Sequence, residues 1–83
     1  MYKALVKFQI EEARALLDKL APLTQALSGE FEKLLFESDE PLSLDLPVGQ
    51  ALHNAEEMFE RVMDARAAAI ALEVNFEILE KAK

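Results

Sequence analysis

Six carboxylates in the C-terminal half, Glu56, Glu57, Glu60, Asp64, Glu73 and Glu77, have the types and spacing that could support chemistry. Asp and Glu hold hard divalent cations through oxygen and activate water for hydrolysis. Glu57, Glu60 and Asp64 step by three and four, which places them on one face of a helix, and Glu73 and Glu77 form a second i, i+4 pair. His53 stands one turn before Glu56 and Glu57, and histidine is the side chain that changes charge near neutral pH.

The same residues also read as a solvated helix face opposite Met58 and Val62, and this reading is the one favoured here. Only Arg61 and Arg66 stand near enough in sequence to receive a phosphate. The chain has no cysteine and a single histidine, so a transition-metal site of several nitrogen or sulfur ligands is not expected. No Ser/His/Asp or Cys/His set is present, and two glycines leave little material for a phosphate-cradling loop. We therefore assign no catalytic, cofactor-binding or metal residue and expect a protein that is not an enzyme. The carboxylate spacing from Glu56 to Glu77 resembles that of MazG-type nucleotide pyrophosphohydrolases, all-α oligomers that hold Mg²⁺ through paired acidic helices. That resemblance implies, as an alternative, a minimal Mg-dependent hydrolase. Here the second acidic pair follows on the same helix.

The elements that position these groups are two long helices. From Val48, alternating steps of three and four land on Ala51, Ala55, Met58, Val62, Ala65, Ala69, Leu72, Phe76 and Leu79, all apolar. From Val6 the same step gives Ile10, Ala13, Leu17, Leu20, Thr24, Leu27, Phe31 and Leu34, with Thr24 alone polar. Uninterrupted seams of this kind mark helices pressed lengthwise against each other. The expected fold is all-α, one helical domain over residues 1–83, with helices at about 3–36 and 47–81 around an acidic connection at 38–46. Near-equal helices joined by a short connection fold back as an antiparallel αα-hairpin. Pro22 removes a backbone donor, and Ser28-Gly29 offers a second start, so the first helix is expected to be kinked or broken near Pro22. The alternative is a small α+β domain of β-α-β-α order, because residues 2–10 and 42–48 alternate with the period of a strand.

A hairpin buries one stripe per helix, and this chain has more apolar surface than that. Met63, Ala67, Ile70, Val74 and Ile78 form a second stripe on the C-terminal helix. Burying a Leu, Ile or Phe stabilises by roughly 1.5 to 3 kcal/mol, so the stripe is expected to be an oligomer interface. A homodimer completing a four-helix arrangement is the direct solution, with Ile70→Asp expected to give a monomer or an aggregate. The competing reading covers the stripe within the chain, by a first helix folded back at Pro22.

The connection supplies the candidate partner site: Glu37, Asp39, Glu40, Leu42, Leu44, Asp45 and Leu46. Its prolines and polar residues break both helical patterns, and Asp45 is the expected cap of the second helix. The run Pro41-Leu42-Ser43-Leu44-Asp45-Leu46 is similar to the Q-L-x-L-x-L peptides that bind bacterial sliding clamps, with proline in place of the leading glutamine. The same leucines also read as residues folded onto the end of the hairpin or forming a strand.

The net charge is −7, and the seven acids between Lys33 and Arg61, a stretch without Lys or Arg, account for all of it. Such a balance argues against direct nucleic-acid binding and favours partners with a basic surface. The most apolar window, Val62 to Leu79, is interrupted by Asp64, Arg66, Glu73 and Glu77, so no membrane span is expected. Without a basic stretch leading into an apolar run near Met1, a cytoplasmic setting is expected. The function expected is an acidic helical adaptor, inhibitor or assembly factor that binds a partner through its tip and an apolar helix face. A purely structural subunit of a larger assembly is the further alternative.

Overall fold

A computed structural model describes residues 2–38 and 45–82. Helix α1 spans Tyr2–Ser38 and helix α2 spans Pro47–Lys81, and the two pack along their lengths as a hairpin about 62 Å long and 16 × 14 Å across. The α+β alternative does not hold: residues 2–10 are helical and no strand occurs among the described residues. The reason is spacing, since Ile10 stands seven residues before Leu17, in phase with Thr24 and Phe31, and a seven-residue repeat keeps one helical face. Of the proposed strand 42–48, residues 42–44 lie outside the described residues, Asp45 and Leu46 form the turn, and Pro47 and Val48 begin α2.

Helix α1 runs through Pro22 and Ser28-Gly29 without a break. Pro22 is exposed while Ala21 and Thr24 are buried, so the missing donor and the ring sit on the face turned away from α2. Thr24, the one polar residue of the expected first seam, is only 5% exposed. Its hydroxyl donates to the carbonyls of Leu20 at 2.9 Å and Ala21 at 3.1 Å, so the helix itself satisfies the polar group it buries.

The start of α2 differs from expectation. Its N-cap is Leu46, in extended backbone, with no side-chain cap, and Asp45 lies one residue outside the helix. Pro47 occupies the first helical position, where its missing donor costs nothing, and Gln50 N–H closes the first turn on the Leu46 carbonyl at 2.9 Å. At the other end Ala82 N–H bonds the Ile78 carbonyl at 3.0 Å.

The core is thin. Ile10, Ala21, Leu52 and Ala55 are its buried apolar residues, and Gly49 is buried beside them near the turn. Val6, Leu17, Phe31 and Leu35 of α1, with Val48, Phe59, Val62, Ala69 and Phe76 of α2, are half-buried along the seam. The central columns are therefore those the spacing predicts. Their flanks are not. Beside each column the structure covers the residue four positions on (Ala21, Ser28 and Leu35; Leu52, Phe59 and Glu73). Leu20, Leu27, Leu34, Met58, Leu72 and Leu79, placed in the seam by their spacing, are exposed instead.

Candidate functional site: two edges and a tip

Which edge of the seam closes is set by charge. The Arg14 guanidinium donates to the Glu73 carboxylate, and Arg66 Nε donates to Asp18 Oδ1 at 2.9 Å. Arg14 follows Ile10 by four and Glu73 follows Ala69 by four, so the pair bridges the same edge from both helices. Asp18 and Arg66 do the same one step outward and one turn along. In an antiparallel pair the register is constant, so Arg14 opposite Glu73 sets Ala21 level with Arg66, Ser28 with Phe59 and Leu35 with Leu52. Two of those three pairs set a small residue against a large one, which lets the helices approach on this side.

The opposite edge is open and apolar. Leu20, Leu27 and Leu34 of α1 lie on the same side as Met58, Leu72 and Leu79 of α2, each three positions after its central column. Leu16 and Leu23 extend this edge outward, and all eight side chains are 41% to 65% exposed. An open groove of about 330 Å³ meets this edge at Met58, lined by Leu17, Val62 and Ala65 together with Asn54, Glu57 and Arg61. The second expected stripe, Met63, Ala67, Ile70, Val74 and Ile78, is exposed along its whole length on α2. No fold-back of α1 covers it. That stripe is one helix wide, whereas the leucine edge draws on both helices.

The carboxylates do not converge. Among the described residues no three His, Asp or Glu side chains stand close enough to share a metal ion. Glu57 accepts from Arg61 Nη2 at 2.6 Å and from Nε at 3.1 Å, and His53 Nε2 lies 3.7 Å from its other oxygen. Hydrogen bonding to Arg61, reinforced by the charge of the same guanidinium, holds the Glu57 carboxyl below its ordinary range and raises Arg61 in turn. This is an i, i+4 pair on an exposed helix surface. A smaller pocket of about 110 Å³ near the chain ends is lined by Phe76, Ile10 and Lys7 with Glu11, Glu73, Glu77 and Glu80. Glu73 is engaged there by Arg14.

Of the expected partner site, Glu37 lies exposed in the last turn of α1, Asp45 is exposed in the turn, and Leu46 is half-buried as the N-cap of α2. Asp39, Glu40, Leu42 and Leu44 lie outside the described residues, as does most of the clamp-like run. No helix among the described residues is long and apolar enough to cross a membrane. The leucine edge is the surface that sequence reasoning assigned to the wrong place. The signal was present in the leucines at 20, 27 and 34, but helical period alone put them inside. No protein family, no curated protein and no solved structure matches the chain.

Proposed function

We propose that this protein is a non-enzymatic interaction module: a small acidic helical adaptor, inhibitor or assembly factor that works as a homodimer. A cytoplasmic setting belongs to the same proposal. The observation that carries it is the ratio of core to exposed apolar surface. Among the described residues four apolar residues are buried, while fifteen large hydrophobic side chains are exposed, most of them along the leucine edge and the Ile70 stripe. Exposed apolar surface on this scale is characteristic of chains that bind others. The acidic segment around Glu37 to Asp45, together with Glu56, Glu57 and Glu60, supplies the polar half of the site. Its field attracts basic partners and repels acidic ones.

The hydrolase alternative draws no support from the geometry, because Glu57 is occupied by Arg61 and no three His, Asp or Glu side chains among the described residues are placed to share a metal ion. A structural-subunit role is the second reading, favoured by the absence of any fully buried large side chain among the described residues. It predicts that the isolated chain melts without cooperativity.

The reading is tested by capture of a basic protein with immobilised wild type and with a variant carrying Glu37→Gln, Glu56→Gln and Glu60→Gln. The expected result is binding that weakens as salt rises and weakens again in the variant. Binding indifferent to both, or none, contradicts the acidic half of the proposal.

A further inference from the structure

The dimer of that reading has two candidate surfaces, and area and charge choose between them. A compact monomer of 9.3 kDa exposes about 5,000 Å². This chain exposes 6510 Å², an excess of about 1,500 Å². A standard interface removes about 800 Å² from each partner, and obligate homodimers remove considerably more. The excess is thus of the size that one extensive contact with a second copy removes. A stripe one helix wide offers only part of it. The leucine edge runs along both helices, with Leu20, Leu27 and Leu34 facing the same way as Met58, Leu72 and Leu79, and an open groove adjoins it at Met58.

Charge then sets the orientation. Of the seven acids between Lys33 and Arg61, Glu37 and Asp45 flank the turn and Glu56, Glu57 and Glu60 follow in the first half of α2; the rest of the chain balances nine acids against nine bases. Two copies aligned turn to turn would bring the acids of both turn halves together. Turned end for end, they hold the Glu37 and Asp45 ends of the two copies roughly 50 Å apart, several screening lengths at physiological salt. Each turn then lies beside the other copy's chain ends, where Lys3, Lys7 and Lys81 stand among Glu77 and Glu80, a mixed surface in place of a second acidic turn.

We propose that a second copy of this chain packs on the leucine edge, antiparallel to the first, with the two acidic turns at opposite ends of a four-helix arrangement. This moves the dimer contact away from the Ile70 stripe and leaves that stripe and the two tips outward for other partners. The inference rests on the interaction-module reading, but it fails or stands separately from it.

The chain has no cysteine, so Glu37→Cys carries a single spin label near the turn. Pulsed dipolar spectroscopy on the labelled dimer should give a distance of roughly 50 Å, about the length of a 35-residue helix. A distance below about 25 Å, two helix diameters, would mean turn-to-turn packing and overturn the orientation alone. Light scattering should show Leu27→Asp as a monomer and Ile70→Asp as a dimer; the reverse pair of results overturns the face. Should Leu27→Asp lose its helicity by circular dichroism, Leu79→Asp, near the end of α2, carries the same comparison. A wild-type mass of one chain at every concentration overturns the second copy altogether. The module reading would then still be decided by salt-dependent capture.

Discussion

The two long edges of the hairpin are made by the same pair of helices and could hardly be less alike. One is closed by Arg14 against Glu73 and Arg66 against Asp18, with Ala21 and Ser28 giving room beneath. The other is a row of leucines and a methionine facing outward. Exposed ion pairs stabilise by at most about 1 kcal/mol each, so the closed edge is not held shut chiefly by them. What they supply is a choice of edge. Unpaired charges buried under leucines would be costly, whereas leucines left outside can still be covered by another chain. The asymmetry thus divides the molecule into an edge that completes the fold and an edge left uncovered.

That comparison can be broken at several points. The largest expected effect is in the core that both edges share. Leu52 is 5% exposed, and Leu52→Ala should lower unfolding stability by roughly 2–5 kcal/mol in urea titration. Because the core is thin, such a loss is a large part of the total. On the closed edge, Asp18→Asn removes the partner of a half-exposed Arg66 and should cost about 0.2–1 kcal/mol, a difference that shrinks as salt is added. A much larger cost would mean that the ion pairs, not packing, close this edge.

The smallest expected effect concerns pH. Glu57 titrates below its ordinary value of 4.5 because of Arg61. A carboxyl whose pKa is depressed by folding contributes stability above the unfolded-state value, and loses it as pH falls through the folded-state one. Helicity should therefore decline slightly less in Glu57→Gln than in wild type as pH drops below 4.5, read by circular dichroism. Identical acid titrations would show that this exposed pair contributes nothing.

Much of the fold was legible because it repeats. Ile10, Leu17, Thr24 and Phe31, and Val48, Ala55, Val62, Ala69 and Phe76, keep a spacing of seven that survives Pro22 and Ser28-Gly29. The flank beside each column was not legible. Leu20 and Ala21 adjoin the same seam, and the alternating step of three and four lands on the leucine, while the structure buries the alanine. The choice depends on Arg14 meeting Glu73 and Asp18 meeting Arg66, contacts 59 and 48 residues apart that no local window contains. The cap of α2 was misread for a different reason. Asp45 is a favoured cap residue, but proline at the first helical position already supplies the geometry and places the boundary one residue later, at Leu46.

Whether a second copy covers the leucine edge is tested most directly by sedimentation equilibrium on the unmodified chain. Across a concentration series the predicted mass is twice the 9.3 kDa of one chain, falling to a single chain in Leu27→Asp. A mass of 9.3 kDa throughout, or a dimer untouched by Leu27→Asp but split by Ile70→Asp, would contradict it.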